Sequence, residues 1–211
     1  MTLQNRVDPF SAIHAVPSRG LFTGNRGILH DPETQTLKKQ TWTTNGWISC
    51  VLAFKDRKLP LMGRGHYTPL FFLDELTGFA AGHRPCFECR RDNAQAFSSA
   101  VATQRGDPLR PSAKRMDAEL NAEMKPRLRR YDPEPRPVAT VAELPDGAMY
   151  AIDGRCFVKW KGQGRIWSFD GYGGVSMLPP RALRLTPELM CAALQGGYAP
   201  EVHPSLHANT G

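Results

Sequence analysis

The sequence contains no long hydrophobic segment and little cysteine. No apolar run approaches the roughly 20 residues that a membrane-spanning helix requires. Residues 1–9 lack the charged-then-apolar order of a secretion signal. The 5 cysteines are an odd number, which does not suit a framework of disulfides. We therefore expect a cytoplasmic protein that has reduced thiols and no membrane partner.

Familiar catalytic motifs are missing as well. The sequence has no glycine-rich nucleotide-binding loop, no His-Glu-x-x-His pair and no placed Ser-His-Asp set, although distant residues can still converge in space. It also has no internal repeat or low-complexity tract. Motifs alone therefore leave open whether the chain is an enzyme.

Positive charge is in excess. There are 27 Lys and Arg residues against 20 Asp and Glu residues, which gives a formal net charge of +7 and a pI of about 9.4. A basic protein suits an anionic partner such as nucleic acid, although surface arginines often serve solubility alone. The 19 glycines and 18 prolines indicate many turns and short elements rather than a helical bundle.

The N-terminal part, residues 1–105, is expected to hold an irregular arm and a small metal-binding unit. The arm segment 20–31 mixes apolar residues with glycines and should pack on the core. Residues 40–54 are rich in β-formers and predict a hairpin with residues 59–62. A further strand and two helices that flank a cysteine pair follow, the first helix having an Asp cap and a glycine end.

The rest of the chain predicts an α+β fold that ends in a second unit. Residues 106–137 form a basic, proline-rich connector with one helix, capped by Ser112 and ending before Pro126. Residues 138–211 form a small β unit with one closing helix. Its first hairpin turns at Asp153-Gly154, because these residues tolerate the positive φ of a two-residue turn.

The cysteine pair is the most informative motif. Cys86 and Cys89 are separated by two residues, a spacing that lets both thiols bind one metal ion, usually zinc. Cys50 is the best third ligand, since it ends a strand in the same unit; the alternative is that it is a small buried residue. Cys156 and Cys191 are expected to pack in the C-terminal unit. Redox activity of the pair and an accidental pair remain alternatives.

A closed structural zinc site has four ligands, so one more residue is needed. Of the candidate histidines, His66 lies between Cys50 and the pair and is flexibly placed. His83 is separated from Cys86 by Pro85, which restricts the backbone between them. The remaining candidates are His30 and His203.

Basic residues near the pair and in the connector are candidates for phosphate contacts. In the connector, Tyr131 adds an aromatic ring that can stack on a base. A solvated linker is the alternative interpretation of that stretch. The candidate residues are Arg84, Arg90, Arg91, Lys125, Arg127, Arg129 and Arg130.

Residues 71–90, FFLDELTGFAAGHRPCFECR, resemble the second half of the metal-binding domain of the Ada methylphosphotriester repair family. That family binds zinc through four cysteines, one of which accepts a methyl group from a DNA phosphate. Residues 43–50 look similar to the strand before the family's first cysteine pair, but residues 51–54 lack a second cysteine. The resemblance implies zinc ligation by Cys86, Cys89 and Cys50, and a nucleophilic role if Cys50 is the acceptor. The chain is also similar to a group of bacterial proteins that carry the same pair, which implies no function.

Three functions follow from these observations. The first is a zinc-binding, nucleic-acid-binding protein whose metal is mainly structural, with DNA as the partner more than RNA. The second is a metal-thiolate acceptor of alkyl groups from DNA phosphates. The third is a zinc-stabilised protein-interaction module that uses aromatic residues of the second unit, namely Tyr150, Trp160, Trp167 and Tyr172.

Overall fold

The computed structural model describes residues 2–55, 61–129, 131 and 134–208. Over these ranges the chain forms two sheets and four helices, which confirms the predicted α+β class. Within the same ranges, no helix is both long enough and apolar enough to cross a bilayer.

The first sheet is mixed and lies in the N-terminal half. Its strand order is β2-β1-β5-β3-β4-β6, in which β1 is parallel to β5, β4 is parallel to β6, and the other neighbours are antiparallel. The strands are β1 (Arg6–Val7), β2 (Ile13–His14), β3 (Phe22–Asn25), β4 (Ile48–Val51), β5 (Leu70–Phe72) and β6 (Arg84–Pro85).

The arm supplies the partner of β4, which corrects the predicted hairpin. β4 pairs with β3, and residues 61 and 62 lie in a turn; residues 59 and 60 of the predicted second strand lie outside the described part of the chain. Phe22 is buried in the core, as expected for the arm segment. Gly24 permits the pairing, because a Cβ there would lie 2.3 Å from the Ile48 carbonyl oxygen.

The second sheet is antiparallel throughout, in the order β11-β10-β9-β8-β12-β7. Asp153 and Gly154 both have positive φ in the turn between β8 and β9, which confirms the predicted hairpin. The strands are β7 (Val138–Thr140), β8 (Met149–Ile152), β9 (Arg155–Trp160), β10 (Gln163–Ser168), β11 (Gly171–Ser176) and β12 (Arg181–Arg184).

The helices are α1 (Glu75–Ala80), α2 (Arg91–Arg105), α3 (Ala113–Arg127) and α4 (Glu188–Gln195). The predicted caps of α1 and α3 are confirmed, since the Asp74 and Ser112 side chains accept from backbone amides. Helix α3 does not end before Pro126. It continues because the Leu128 amide still donates to the Met124 carbonyl, 3.1 Å away, past the proline.

One hydrophobic core joins the second sheet to all four helices. Phe79 of α1 packs edge-on against Phe97 of α2, and Met116 of α3 and Met190 of α4 belong to the same buried cluster. Strands β8, β9 and β11 contribute the sheet side of this core. A smaller cluster joins β1, β3 and β5 of the first sheet through Val7, Phe22, Leu70 and Phe72.

Candidate metal centre

Three cysteines meet at the edge of the first sheet. The sulfur atoms of Cys50, Cys86 and Cys89, here called the thiol cluster, all lie within 4.8 Å of one another. A tetrahedral ion with Zn–S bonds of about 2.3 Å holds its sulfurs about 3.8 Å apart. The spacing therefore fits a single ion held by three thiolates.

Strand pairing builds the thiol cluster. β4 and β6 are parallel, with Ser49 opposite Pro85, so the next residues of the two strands, Cys50 and Cys86, are neighbours. The Cys86 amide donates to the Ser49 carbonyl at 3.0 Å, which holds this register. The chain then turns back before α2, and this turn brings Cys89 to the same place.

Hydrogen bonds favour the ionised form of one thiol. The Cys50 thiol donates to Cys86, and this bond, together with backbone amides that include Glu88 N at 3.3 Å, lowers the pKa of Cys86 to about 5. The same bond, followed by burial, raises the pKa of Cys50. Burial raises the pKa of Cys89. The neighbours of Cys86 thus favour its ionised form.

The thiol cluster lines a cavity of about 430 Å³, here called the thiol cavity. The rest of the described lining is mainly apolar, and its one acidic residue is Glu88. Apolar lining residues include Ile48, Val51, Leu52, Phe54, Leu61, Pro69 and Phe71. An ion held by the three sulfurs would therefore border a space large enough for a small ligand.

The structure brings none of the four candidate histidines into the thiol cluster. Both ring nitrogens of His30 are occupied, Nδ1 by the Thr68 hydroxyl at 2.7 Å and Nε2 by the Gly63 carbonyl at 3.3 Å. His66 sits in the turn after residue 61 and lies outside the group. Among the described residues, no histidine or carboxylate joins the three sulfurs within 4.8 Å.

The other two histidines take part in core packing and in capping a turn. His83 is fully buried between Trp47 and Phe72, and burial lowers its pKa well below the usual value. His203 caps the short 3-10 turn at Pro204–Leu206, its Nδ1 lying 2.7 Å from the Ser205 hydroxyl. Cys156 and Cys191 are buried in the core, as expected.

Two arginines beside the cysteine pair are buried in ion pairs, which corrects their expected exposure to phosphate. Arg84 binds Asp117 through two hydrogen bonds of 2.8 and 2.9 Å. Arg90 donates to Glu75 at 2.7 Å and to Glu201 at 3.0 Å. Their positive charges are neutralised inside the protein, because an unpaired buried charge is costly.

The other predicted phosphate contacts differ in exposure. Arg91 is exposed, and Arg129 is 57% exposed, 3.9 Å from Glu134. Lys125 donates to the Asn45 side chain at 2.6 Å. Arg127 is buried in an ion pair with Glu123. Arg130 lies outside the described residues.

Sequence reasoning missed three cations near the thiol cavity. Arg6 and Arg19 line an adjoining cavity that shares residues Leu52, Leu61 and Phe71 with it. The Lys55 ammonium lies 5.0 Å from the centre of the Phe54 ring, which lines the thiol cavity. Arg6 and Arg19 belong to the arm, which has no periodic pattern, so their position relative to the cysteines follows only from the fold.

Comparison of the chain with protein-family models, with curated proteins and with solved structures found no match.

Proposed function

We propose that the chain binds one zinc ion through Cys50, Cys86 and Cys89, that the fourth coordination position opens to the thiol cavity, and that nucleic acid is the partner. The observation that carries the proposal is the thiol cluster at the wall of this cavity. Four protein ligands close a structural site, whereas three protein ligands and an open position are typical of sites that bind or transform a ligand. The function is therefore one in which a group of the bound partner approaches the metal.

The choice of zinc as the metal follows from the thiolate ligands. A cluster of soft sulfur donors favours zinc over magnesium or calcium, which prefer oxygen. Amides directed at Cys86 stabilise negative charge on its sulfur. When bound, zinc would keep the coordinating thiols ionised at neutral pH.

Charge around the thiol cavity supports a phosphate-bearing partner. Arg19 and Lys55 are exposed near its edge, and the chain carries a net charge of +7. These cations replace Arg84 and Arg90 in the proposed contact, since both of those are paired in the interior. The apolar lining of the thiol cavity would then contact the part of the nucleic acid that lies next to the sulfurs.

Elemental analysis tests the metal. We expect one zinc per chain in the purified protein and loss of zinc in Cys50→Ser, Cys86→Ser and Cys89→Ser, because two sulfurs hold the ion poorly. Cys156→Ala is the matched control, since Cys156 lies in the core away from the thiol cluster, and it should keep its zinc. Full zinc in any of the three serine variants would contradict the assigned ligand set.

Cobalt substitution tests the open position. Co²⁺ in the site should show visible bands of a tetrahedral thiolate complex, and addition of imidazole should shift these bands as it enters the fourth position. Unchanged bands at saturating imidazole would mean that the site is closed and its metal structural.

Salt dependence tests the partner. Binding of fluorescent DNA oligonucleotides should weaken steeply with salt, because cations on the protein release counterions from phosphate. The double variant Arg19→Ala/Lys55→Ala should weaken binding and reduce the salt slope by about 2. Arg110→Ala/Lys114→Ala removes two exposed charges elsewhere and should retain binding. A flat salt response would count against nucleic acid.

The open site also supports a second candidate, in which Cys50 accepts an alkyl group from a DNA phosphotriester. The Cys50 sulfur would form a bond to the methyl carbon while the carbon–oxygen bond breaks, and the phosphodiester would leave as an anion. Placement of Cys50 at the cavity wall favours this candidate. Intact-protein mass after incubation with methylphosphotriester DNA should rise by one methyl group in the wild type and stay constant in Cys50→Ala.

A further inference from the structure

A second cavity, of about 330 Å³, lies between the N-terminal arm and the C-terminal end of α3. Among the described residues that line it, five are basic and none is acidic. We call it the basic cavity. Its basic residues are Arg26, Lys38, Lys39, Arg127 and Arg129. A lining whose charged residues are all positive attracts anions.

Arg26 is the central feature of the basic cavity. It is 1% exposed, and its guanidinium donates to the Ser11 carbonyl at 3.2 Å. Its Nε and Nη2 atoms have no partner among the described residues. The guanidinium lies 5.1 Å from the centre of the Trp47 ring, which supplies a cation–π contact but no acceptor for these N–H groups.

Burial of this charge has a physical cost. Desolvation lowers the pKa of Arg26 to about 9, with Asp8 opposing the shift. Arginine is the residue whose planar fork binds phosphate and carboxylate oxygens in pairs. An anion beside Arg26 would compensate the buried charge, which is otherwise left with unsatisfied donors.

Ser11 adds a second unsatisfied polar group to the same cavity. Its hydroxyl oxygen is buried and has no partner among the described residues, and its φ of +73° is unusual for a residue other than glycine. A buried hydroxyl without a partner is costly, so this position gains from a ligand that accepts its hydrogen bond.

We infer that the basic cavity is a binding site for a phosphate group. Arg26 and Ser11 would bind the phosphate oxygens inside the cavity, and Lys38 and Lys39, both exposed, would neutralise the remaining charge at its mouth. Arg127 contributes less, because Glu123 already pairs with it. The apolar side chains of Phe10 and Leu37 also line the cavity and provide a surface for the group that carries the phosphate.

The site is independent of the proposed metal centre. The described residues that line it include none of those that line the thiol cavity. Two sources present the same dianionic group: a small phosphorylated compound and the terminal phosphate of a nucleic-acid strand.

Calorimetric titration with inorganic phosphate at constant ionic strength tests the site in the full-length protein. We expect saturable binding that chloride and acetate at equal ionic strength do not reproduce. Ser11→Ala should weaken binding about tenfold, since a hydrogen bond to a charged group is lost. Lys38→Ala/Lys39→Ala should weaken it further, whereas Arg110→Ala/Lys114→Ala, with the same change in net charge, should bind phosphate normally.

The variants also separate ligand binding from folding. Without a ligand, Ser11→Ala should unfold at the same temperature as the wild type or higher, because it removes an unsatisfied buried hydroxyl. Cys86→Ser should still bind phosphate, which distinguishes this site from the metal centre.

Competition with oligonucleotides identifies the source of the phosphate. A 5′-phosphorylated oligonucleotide that competes more strongly than its unphosphorylated form would identify a strand end as the source, and no difference would identify a small compound. Absence of saturable phosphate binding, or equal binding by the Lys38/Lys39 double variant, would overturn the inference.

Discussion

Arg90 follows the cysteine pair directly, yet its side chain is part of the interior. It lies 1% exposed between Glu75, Glu201 and the ring of Phe22. Its neighbour Arg91 begins α2 and is exposed. Two consecutive arginines thus have opposite roles, one in the interior and one at the surface.

This contrast predicts different effects of substitution. Arg90→Ala should lower the free energy of unfolding by about 3–5 kcal/mol, because it leaves the Glu75 carboxylate buried without its partner. Arg91→Ala should change it by less than about 0.5 kcal/mol. Urea denaturation of both variants measures the difference, and equal stability would mean that the Arg90 ion pair contributes little.

At the scale of elements, the contact between α2 and α4 requires a glycine, because there is no room for a side chain. A Cβ at Gly196, which ends α4, would lie 1.9 Å from the Ala100 carbonyl oxygen on α2. Gly154 in the β8–β9 turn differs, because no atom of the described residues lies within 4 Å of a Cβ there and only its φ of +73° disfavours substitution. The two glycines are therefore needed for different reasons, close packing and backbone conformation.

Alanine substitution at Gly196 and Gly154 should distinguish the effect of close packing from that of backbone conformation. Gly196→Ala should destabilise the protein by about 3 kcal/mol or more, since backbone rather than a flexible side chain must move. Gly154→Ala should cost about 1–2 kcal/mol, the strain of a left-handed conformation. Thermal unfolding followed by circular dichroism compares them, and a smaller loss for Gly196→Ala would contradict the tight helix contact.

At the scale of the whole molecule, none of the three cysteines of the thiol cluster belongs to the main core, although Phe87 packs against it. The cluster links β4 to the segment before α2, whereas the main core joins the second sheet to the helices. Removal of zinc by a chelator should therefore lower the unfolding temperature but preserve most helical circular dichroism. Loss of all secondary structure on chelation would show instead that folding requires the metal, as in small zinc fingers.

Acidification should release the proposed metal. Zinc binds ionised thiols, so protons compete for Cys50, Cys86 and Cys89, and the stability that the metal provides is lost as pH falls. Zinc retention after dialysis across pH 8 to about 4 measures this, with the unfolding temperature as a second readout. The unfolding temperature of Cys86→Ser should vary less over this range. Zinc that remains fully bound in acid would contradict thiolate ligation.

The local features were predictable from the amino-acid sequence alone. The cysteine spacing, the caps at Asp74 and Ser112, the Asp153-Gly154 turn and the α+β class depend on residues close together in the chain, so their physics is readable from sequence. It also indicated Cys50 as the third sulfur, because the strand that carries it belongs to the same unit.

The contacts that these features make with the rest of the chain depend on the fold. The pairing of the arm with β4 depends on contacts between residues far apart in the chain, which no local pattern encodes. The same holds for the burial of Arg84 and Arg90, whose carboxylate partners are distant in sequence or unmarked by any motif. Residues of a single type, arginine above all, were therefore assigned to surface or interior by the fold, because only the fold places an opposite charge within reach of a buried one.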